Sequence, residues 1–185
     1  MATNAALFLI NGFEETEALC TVDILRRGEV EVTTVSLEAS RALTGRSRIT
    51  VEADAMFGDI SGKTFDMLVI PGGTTAYAEH EGLLKLVMEQ HEGGRKLAAI
   101  CAAPCVFGKL GLLAGKRATI YPGMEELLGG ATLSPKIVET DGNITTAKGP
   151  GAAVYFALRL VEILAGSKVA DKVAEEFIAV KLPGS

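Results

Sequence analysis

The chain has 185 residues, with 18 Lys and Arg against 23 Asp and Glu and a formal net charge of −5. This length suits one compact domain over residues 1–185, and an acidic chain with scattered basic residues offers no positive patch for nucleic acid. The longest apolar runs, such as Ala5 to Ile10, fall far short of the roughly 20 residues of a membrane helix, and no secretory signal is apparent, so we expect a cytoplasmic protein.

The first elements alternate between strand and helix patterns. The apolar run Ala5–Ile10 predicts a strand that is buried on both faces of a parallel sheet, and Asn11-Gly12 ends it. From Glu15 to Arg27, apolar residues recur at three- and four-residue steps, with acids at the start and two arginines at the end, which predicts a helix. Residues 30–36 are β-branched and alternating, and they predict a second strand.

The rest of the chain continues this alternation. The further predicted strands are Arg41–Leu43, Ile49–Val51, Phe65–Ile70, Leu97–Ile100, Ala118–Tyr121, Ile137–Thr140 and Ile144–Ala147, and the first two and the last two of these form hairpins. The further predicted helices are Glu81–Glu92, Ala102–Leu110, Met124–Leu128, Ala152–Leu164 and Val169–Phe177. Strands that alternate with helices imply an α/β fold with an open, mostly parallel sheet covered on both faces.

Three segments of the chain are predicted to meet at one edge of this sheet. Ligands of such sheets bind beyond the carboxyl ends of the strands. Residues 11–17 follow the first strand, Pro71-Gly72-Gly73 follows the strand at 65–70, and Cys101 follows the strand at 97–100. No glycine-rich nucleotide motif follows any strand, so we expect no dinucleotide or nucleoside triphosphate site.

Cys101 is the strongest single candidate for chemistry. It occupies a strand-to-helix turn like the nucleophile elbow of hydrolases, although the Gly-x-Ser-x-Gly pattern is absent. The amides of a helix N-terminus favour an anion, which predicts a lowered thiol pKa and a reactive thiolate. The alternative is a small buried hydrophobe, as most free cysteines are. No histidine is predicted at this edge to deprotonate the thiol, which argues against a cysteine protease.

The other cysteines and the histidines give no further site. Cys20 and Cys105 are expected to fill space inside helices, and reduced thiols are expected for three cysteines in a chain of this size. No histidine or second cysteine pair lies at ligand spacing from Cys101 and Cys105, so no metal is predicted. His80 and His91 lie in a Glu-rich helical stretch, where we expect surface positions.

Five motifs in chain order resemble one known superfamily. They are Gly12–Glu17, Val22–Arg27, Asp66–Gly73, Ala98–Pro104 and Lys148–Gly151. Together they resemble the ThiJ/PfpI superfamily, in particular the branch of the parkinsonism-associated DJ protein and its bacterial relative YajL, over nearly the whole chain. The resemblance implies a flavodoxin-like three-layer sandwich and a homodimer, with no cofactor. We expect the helix face near Val22 and Leu25 to contact the partner subunit.

The resemblance also assigns roles to residues at the predicted site. Cys101 matches the family nucleophile, and Glu17 matches the glutamate whose protonated carboxyl group hydrogen-bonds the sulfur. Gly73 and Ala102 match the residues whose backbone amides form a pocket like an oxyanion hole. If Glu17 is buried beside a thiolate, desolvation and the neighbouring anion both raise its pKa, so it stays protonated at neutral pH.

Other positions are weaker matches or depart from the family. Arg27 and Arg48 match positions near the site, and Arg48 is expected to reach it from the partner subunit. Where many members carry a histidine before a proline, this chain has Tyr121. A phenol donates a hydrogen bond but does not accept a proton near neutrality, so a mechanism that uses that histidine as a base is in doubt. Glu14 and Glu15 are interpreted as solvated acids that complement the helix dipole.

The resemblance supports two hypotheses of function. In the first, Cys101 adds to a small 2-oxoaldehyde such as methylglyoxal, the amides of Gly73 and Ala102 hold the oxyanion, Glu17 moves the proton, and Tyr121 donates a hydrogen bond. The same addition to glycated proteins would give a deglycase. In the second hypothesis, the chain is a redox-sensing or chaperone-like stress protein that is switched by oxidation of Cys101.

Overall fold

The computed structural model describes residues 3–179, so the two ends of the predicted domain, residues 1–2 and 180–185, lie outside the described residues. The strands are β1 (Asn4–Leu9), β2 (Glu31–Ser36), β3 (Ala42–Thr44), β4 (Thr50–Glu52), β5 (Ala55–Met56), β6 (Met67–Ile70), β7 (Lys96–Ile100), β8 (Arg117–Ala118), β9 (Thr132–Leu133), β10 (Val138–Asp141) and β11 (Ile144–Ala147). The α-helices are α1 (Glu15–Arg27), α2 (Glu81–Glu92), α3 (Pro104–Lys109), α4 (Ala153–Ala165) and α5 (Ser167–Glu176).

Among residues 3–179, seven strands form the central sheet in the order β10-β11-β7-β6-β1-β2-β5. Every neighbouring pair is parallel except β10 and β11, which form the antiparallel hairpin that the sequence predicts. The chain leaves β1 for β2 on one side and returns to β6 on the other, so the connections diverge between β1 and β6. A crevice for ligands is expected at this switch point, beyond the carboxyl ends of the two strands.

Helices cover both faces of the sheet, which confirms the predicted α/β sandwich. Because side chains of a strand alternate between faces, Leu7 of β1 joins the core beneath α1, α4 and α5, whereas Phe8 joins the core beneath α2 and α3. Both side chains are fully buried. β1 is therefore covered on both faces, as its continuous apolar run predicts.

Helix α1 has the bounds that the sequence predicts, Glu15 to Arg27. Its start is fixed by the Glu14 carboxylate, which accepts a 2.7 Å hydrogen bond from the backbone N–H of Glu17. The apolar face packs against α4 within the same chain, and Val22 and Leu25 are buried there. The expectation that these two residues contact a partner subunit is therefore wrong, because their surface is already covered.

The predicted strand Ala118–Tyr121 is wrong in extent. Only Arg117–Ala118 forms a strand, β8, and it pairs with β9 outside the central sheet. The next backbone groups bond to other partners: the Thr119 N–H donates to Thr146 Oγ1 and the Tyr121 N–H donates to the Cys101 carbonyl. These bonds hold the segment across the ends of β7 and β11. Within residues 3–179, no helix combines the length and the apolar character needed to cross a membrane.

Candidate active site

Backbone hydrogen bonds join the loops that follow β1 and β6 to each other, and others fix the turn that follows β7. The Glu14 N–H donates to the Gly72 carbonyl at 3.0 Å, which ties the start of α1 to the loop after β6. The Cys101 N–H donates to Ala147 at 2.9 Å, and the Cys101 carbonyl accepts from Tyr121 at 2.9 Å. Three segments distant in sequence are thus fixed around one thiol.

Cys101 lies in a sharp turn between β7 and α3. Its φ of 64° is in the left-handed region, which a side chain disfavours by about 1–2 kcal/mol. The N–H of Ala103 closes the turn on the Ile100 carbonyl at 3.1 Å, and Pro104 begins the helix. The cysteine side chain is held at a buried position, with the residue only 9% exposed.

Two backbone amides are directed at the sulfur. The N–H groups of Gly73 and Ala102 lie beside the Cys101 thiol, and each lowers its pKa. Gly73 has a φ of 97°, and a Cβ there would collide with the backbone of Gly12, Phe13 and Glu14. Only glycine allows this close approach of the loop after β6 to the start of α1.

Glu17 presents a buried carboxyl group beside the thiol. The residue is 0% exposed, and its Oε2 accepts a 2.7 Å hydrogen bond from the Gly72 N–H. Its Oε1 is buried without an N–H or hydroxyl partner among the described residues. Burial raises the pKa of Glu17 from 4.5 to about 7, and the charge of Glu14 adds to this, while the Gly72 hydrogen bond and the charge of Arg46 oppose it.

The expected lowering of the Cys101 pKa is corrected by these surroundings. Burial, followed by the charge of Glu17 and its hydrogen bond to the thiol, raises the pKa of Cys101 to about 12. The two amides at the sulfur oppose this shift but do not outweigh it. Helix α3 has only six residues and begins three residues after Cys101, so its dipole gives little help.

The arrangement therefore favours exchange of a proton between Cys101 and Glu17 over a permanently ionised Cys101 thiolate. With Glu17 ionised, the thiol keeps its proton because two adjacent anions in a buried site are unfavourable. If the thiol proton passes to Glu17, the net charge is unchanged and the two amides face the resulting thiolate. A carboxyl group with a pKa near neutrality is suited to both accepting and returning a proton.

Of the other expected site residues, Tyr121 is near and Arg27 is not. The Tyr121 backbone bonds to Cys101, but its ring lies over Gly149 and the residue is 47% exposed. Arg27 lies ten residues after Glu17 on α1, about 15 Å along the helix axis. It bonds to Asp23 at 3.0 Å and lies over the Phe177 ring.

Arg48 and Arg46 lie in the turn of the β3–β4 hairpin beside the start of α1. Arg48 is exposed, and within residues 3–179 no hydrogen bond or ion pair joins its side chain to Cys101 or Glu17. Arg46, which the sequence does not single out, is held by a 2.8 Å bond from its N–H to the Phe13 carbonyl. The charge of Arg46 lowers the pKa of Glu17, so it belongs to the electrostatic surroundings of the site.

Glu15 is a second correction at the start of α1. The residue is buried, and its Oε1 accepts hydrogen bonds from the Ser47 and Ile49 N–H groups at 2.7 and 3.3 Å. It therefore anchors the hairpin to α1 and is no solvated acid. The sequence contains no signal for this role, because the partners lie more than 30 residues away. Glu14, in contrast, is half-buried and caps α1.

Comparison with protein families gives one match over most of the chain. Residues 3–163 match the DJ-1/PfpI family. The chain is 36% identical to Protein dj-1beta of Drosophila melanogaster, over 95% of this chain and 96% of that protein. It is 39% identical to Protein DJ-1 homolog B of Arabidopsis thaliana over 94% of its length, and it spans only 41% of that longer relative.

Two further comparisons extend this likeness, one with a relative that is named as an enzyme and one with a solved structure. The chain is 32% identical to a Caenorhabditis elegans protein named glutathione-independent glyoxalase DJR-1.2, over 97% of this chain and 99% of that one. The crystal structure of Drosophila melanogaster DJ-1beta superposes with a TM-score of 0.94 and 34% identity, covering 98% of this chain and 100% of that one. The likeness includes the fold and nearly all of the sequence.

Proposed function

The chain belongs to the DJ-1/PfpI family, and from this premise we propose that it is a cysteine-dependent enzyme that converts small 2-oxoaldehydes to 2-hydroxyacids without glutathione. A relative of nearly equal length is named as a glutathione-independent glyoxalase. This relative also weighs against the alternative, a redox-sensing or chaperone-like protein that is switched by oxidation of Cys101.

One arrangement supports the proposal more than any other observation. The N–H groups of Gly73 and Ala102 lie beside the Cys101 thiol, which also interacts with the carboxyl group of Glu17. A nucleophile, hydrogen-bond donors for developing negative charge and an acid/base of pKa about 7 therefore meet at one point. A structural cysteine would need none of these partners.

The first step is addition of sulfur to the aldehyde carbon. Glu17 accepts the thiol proton as the sulfur of Cys101 attacks, which forms a carbon–sulfur bond and moves the carbonyl electron pair to oxygen. The N–H groups of Gly73 and Ala102 stabilise this alkoxide. Glu17 then returns the proton to the oxygen, and the product is a neutral hemithioacetal on Cys101.

The second step is an internal oxidation and reduction of the bound substrate. The carboxylate of Glu17 removes the hydrogen of the former aldehyde carbon as a proton, which gives an enediolate. The hydroxyl proton on this carbon passes to the former ketone oxygen, and Glu17 delivers its own proton to the former ketone carbon. The first carbon is oxidised to a thioester, and the second is reduced to an alcohol. Water then hydrolyses the thioester, which releases the 2-hydroxyacid and restores the thiol. The sum is methylglyoxal plus water giving lactate and a proton, with no external oxidant or reductant.

The burial of Cys101 argues for small substrates. The residue is only 9% exposed, so a two- or three-carbon aldehyde reaches the sulfur more easily than an adduct on the surface of a folded protein. We therefore restrict the proposal to free 2-oxoaldehydes and leave glycated proteins outside it. Tyr121 lies at the site by its backbone, and we propose that its phenol donates a hydrogen bond to the substrate.

The proposal also includes the oligomeric state of the protein and its location in the cell. We propose a homodimer whose contact surface includes Leu19 on α1 and Ile49 in the β3–β4 hairpin, which are 42% and 52% exposed. Glu15 lies one helical turn from Leu19 and bonds to the Ile49 N–H, so both side chains belong to one region. Arg48 follows in the same hairpin turn, where a partner subunit would bring it near a second site. We place this dimer in the cytoplasm.

Turnover of methylglyoxal in glutathione-free buffer tests the proposal. The wild type should form lactate, and Cys101→Ser should abolish the reaction. Cys105→Ser is the matched control, because that thiol is also buried and lies one helical turn further on α3. Wild-type activity equal to buffer alone, or equal loss in both variants, would contradict an enzyme that uses Cys101.

A further inference from the structure

A polar cleft lies at the edge of the sheet opposite to Cys101. It has a volume of about 210 Å³ and is lined by Lys96, Thr140, Asn143, Thr145, Arg159 and Ile163. Lys96 begins β7, whereas Cys101 follows the end of the same strand, so the two lie about 16 Å apart. The cleft is therefore separate from the candidate active site and is not used by the proposed reaction.

Positive charge exceeds negative charge around this cleft. Within residues 3–179, the half-buried Lys96 ammonium group makes no ion pair or side-chain hydrogen bond. A second ammonium group is close, since Lys116 Nζ lies 3.3 Å from the position that a Cβ would take on Gly142. Lys116 also has no ion pair among the described residues, and Gly142 lines the cleft.

Arg159 supplies a third cation, and its position is fixed. Its Nη1 bonds to the Glu162 carboxylate at 2.7 Å, and its Nε donates to Thr140 Oγ1 at 3.2 Å. Asp141, the other nearby carboxylate, accepts from the Arg117 N–H at 2.9 Å. Three cations, Lys96, Lys116 and Arg159, therefore lie near two carboxylates. That of Glu162 is paired with Arg159, and that of Asp141 accepts from a backbone N–H.

Hydroxyl groups add donors inside the cleft. Thr140 Oγ1 and Thr145 Oγ1 lie 3.1 Å apart, and Thr145 is almost fully buried. Because Thr140 Oγ1 accepts from Arg159, it can donate to Thr145, which leaves the Thr145 hydroxyl hydrogen free to turn toward a ligand. Ammonium, guanidinium and hydroxyl donors from different directions match the oxygens of a tetrahedral anion.

We propose that this cleft binds a small tetrahedral oxyanion, either inorganic phosphate or the phosphate end of a monoester. An anion would offset the excess of one positive charge that Lys96, Lys116 and Arg159 have over the Glu162 and Asp141 carboxylates. The volume of about 210 Å³ is below the range of about 300–1,000 Å³ typical of drug-sized ligands, so the cleft admits a phosphate group but not a whole nucleotide. The site does not depend on the proposed aldehyde chemistry.

Titration with inorganic phosphate, followed by calorimetry and by NMR of backbone amides, tests the proposal. Saturable binding should shift the signals of Lys96, Asn143 and Thr145 and leave those of Gly73 and Ala102 in place. Lys96→Gln and, separately, Arg159→Gln should each weaken binding at least tenfold. Lys85→Gln is the matched control, since it removes the same charge from an exposed position on α2.

Further binding experiments identify the class of ligand and test whether the cleft is independent of the candidate active site. Glycerol phosphate that binds as tightly as phosphate would indicate a monoester end, and weaker binding would indicate free phosphate. Cys101→Ser should leave phosphate binding unchanged. The proposal is overturned if no binding occurs at 10 mM phosphate, if Lys85→Gln weakens it as much as Lys96→Gln does, or if acetate binds more tightly than phosphate.

Discussion

Glu17 and Cys101 face each other across the backbone of Gly72. A Cβ on Gly72 would lie 2.7 Å from Glu17 Oε2 and 2.5 Å from the Cys101 Cβ. The Gly72 N–H also donates to Glu17 Oε2 at 2.7 Å, so the residue that leaves room for the pair also holds its carboxyl group. Glycine at this position is therefore a condition of the thiol–carboxyl contact.

Gly72→Ala should damage both stability and the site. The added methyl group would meet Cys101, Glu17 and the Ile100 carbonyl, which lies 3.0 Å away, and a backbone atom cannot easily move. We expect a loss of about 1–3 kcal/mol in the free energy of unfolding, as for other overpacked positions, measured by urea denaturation. Gly58→Ala is the control, because its Cβ would meet nothing within 4 Å. Equal effects of the two variants would contradict the crowding at Gly72.

The raised pKa of Glu17 predicts a stability that depends on pH. Burial raises this pKa from 4.5 to about 7, so the folded chain holds the proton more tightly than the unfolded chain does. This contribution is fully present below pH 4.5 and is lost as the pH rises through 7. The contribution amounts to about 3 kcal/mol. The free energy of unfolding of the wild type, relative to that of Glu17→Gln, should therefore fall by about 3 kcal/mol between pH 4.5 and 8.

Glu15→Gln supplies an internal control of opposite sign. Burial raises the pKa of Glu15, but hydrogen bonds from backbone N–H groups, including those of Ile49 and Ser47, outweigh burial and lower it. Wild type should therefore gain stability against Glu15→Gln as the pH rises above the acid range. Denaturation at several pH values compares the three proteins, and a parallel trend for both variants would refute the assignment at Glu17.

Local patterns explain why the helices and the position of the nucleophile follow from the sequence. Apolar spacing and terminal charges give the bounds of α1, and apolar spacing alone places α2 at about Glu81 to Glu92, as the structure has it. The sequence predicts the turn at Cys101 because a buried strand ends there and a proline follows three residues later. These signals lie within a few residues of the feature that they predict.

Other features depend on contacts between distant residues and could not be derived. The pKa of the Cys101 thiol is raised by burial and by Glu17, which lies 84 positions earlier in the sequence, and the adjacent helix does not offset this. The position of Glu15 in the sequence suggests a solvated acid, but its buried carboxylate accepts hydrogen bonds from the Ser47 and Ile49 N–H groups. The apolar segment after Ala118 has a strand-like pattern, yet Cys101 and Thr146 provide its hydrogen-bond partners.

Tyr121→His should raise methylglyoxal turnover at pH 7. The ring is 47% exposed and packs over Gly149, so an imidazole fits without loss of core packing. Histidine would add a proton acceptor that a phenol lacks near neutrality. Steady-state assays compare it with Tyr121→Phe, which keeps the ring and removes only the hydroxyl. If Tyr121→His shows no gain, this position contributes packing alone.

Light scattering should give a mass of about twice 19.4 kDa for the proposed homodimer. Leu19→Asp and Ile49→Asp each place a charge on the proposed contact surface, and both should yield monomer at micromolar concentration. Leu133→Asp is the control, because Leu133 is 51% exposed on β9, outside that surface. A monomeric wild type, or dissociation by Leu133→Asp alone, would rule out the surface and a role for Arg48 in a neighbouring site.

The most direct test of the central claim, that Glu17 moves the proton for Cys101, is methylglyoxal turnover of Glu17→Gln with the rate of Cys101 alkylation measured on the same sample. Turnover should fall by roughly 10² or more, because an amide cannot exchange the proton. Alkylation at pH 8 should become faster, because the loss of the Glu17 charge lowers the pKa of Cys101. Wild-type turnover in Glu17→Gln, with Cys101→Ser inactive, would contradict the account and assign the proton transfer to another group.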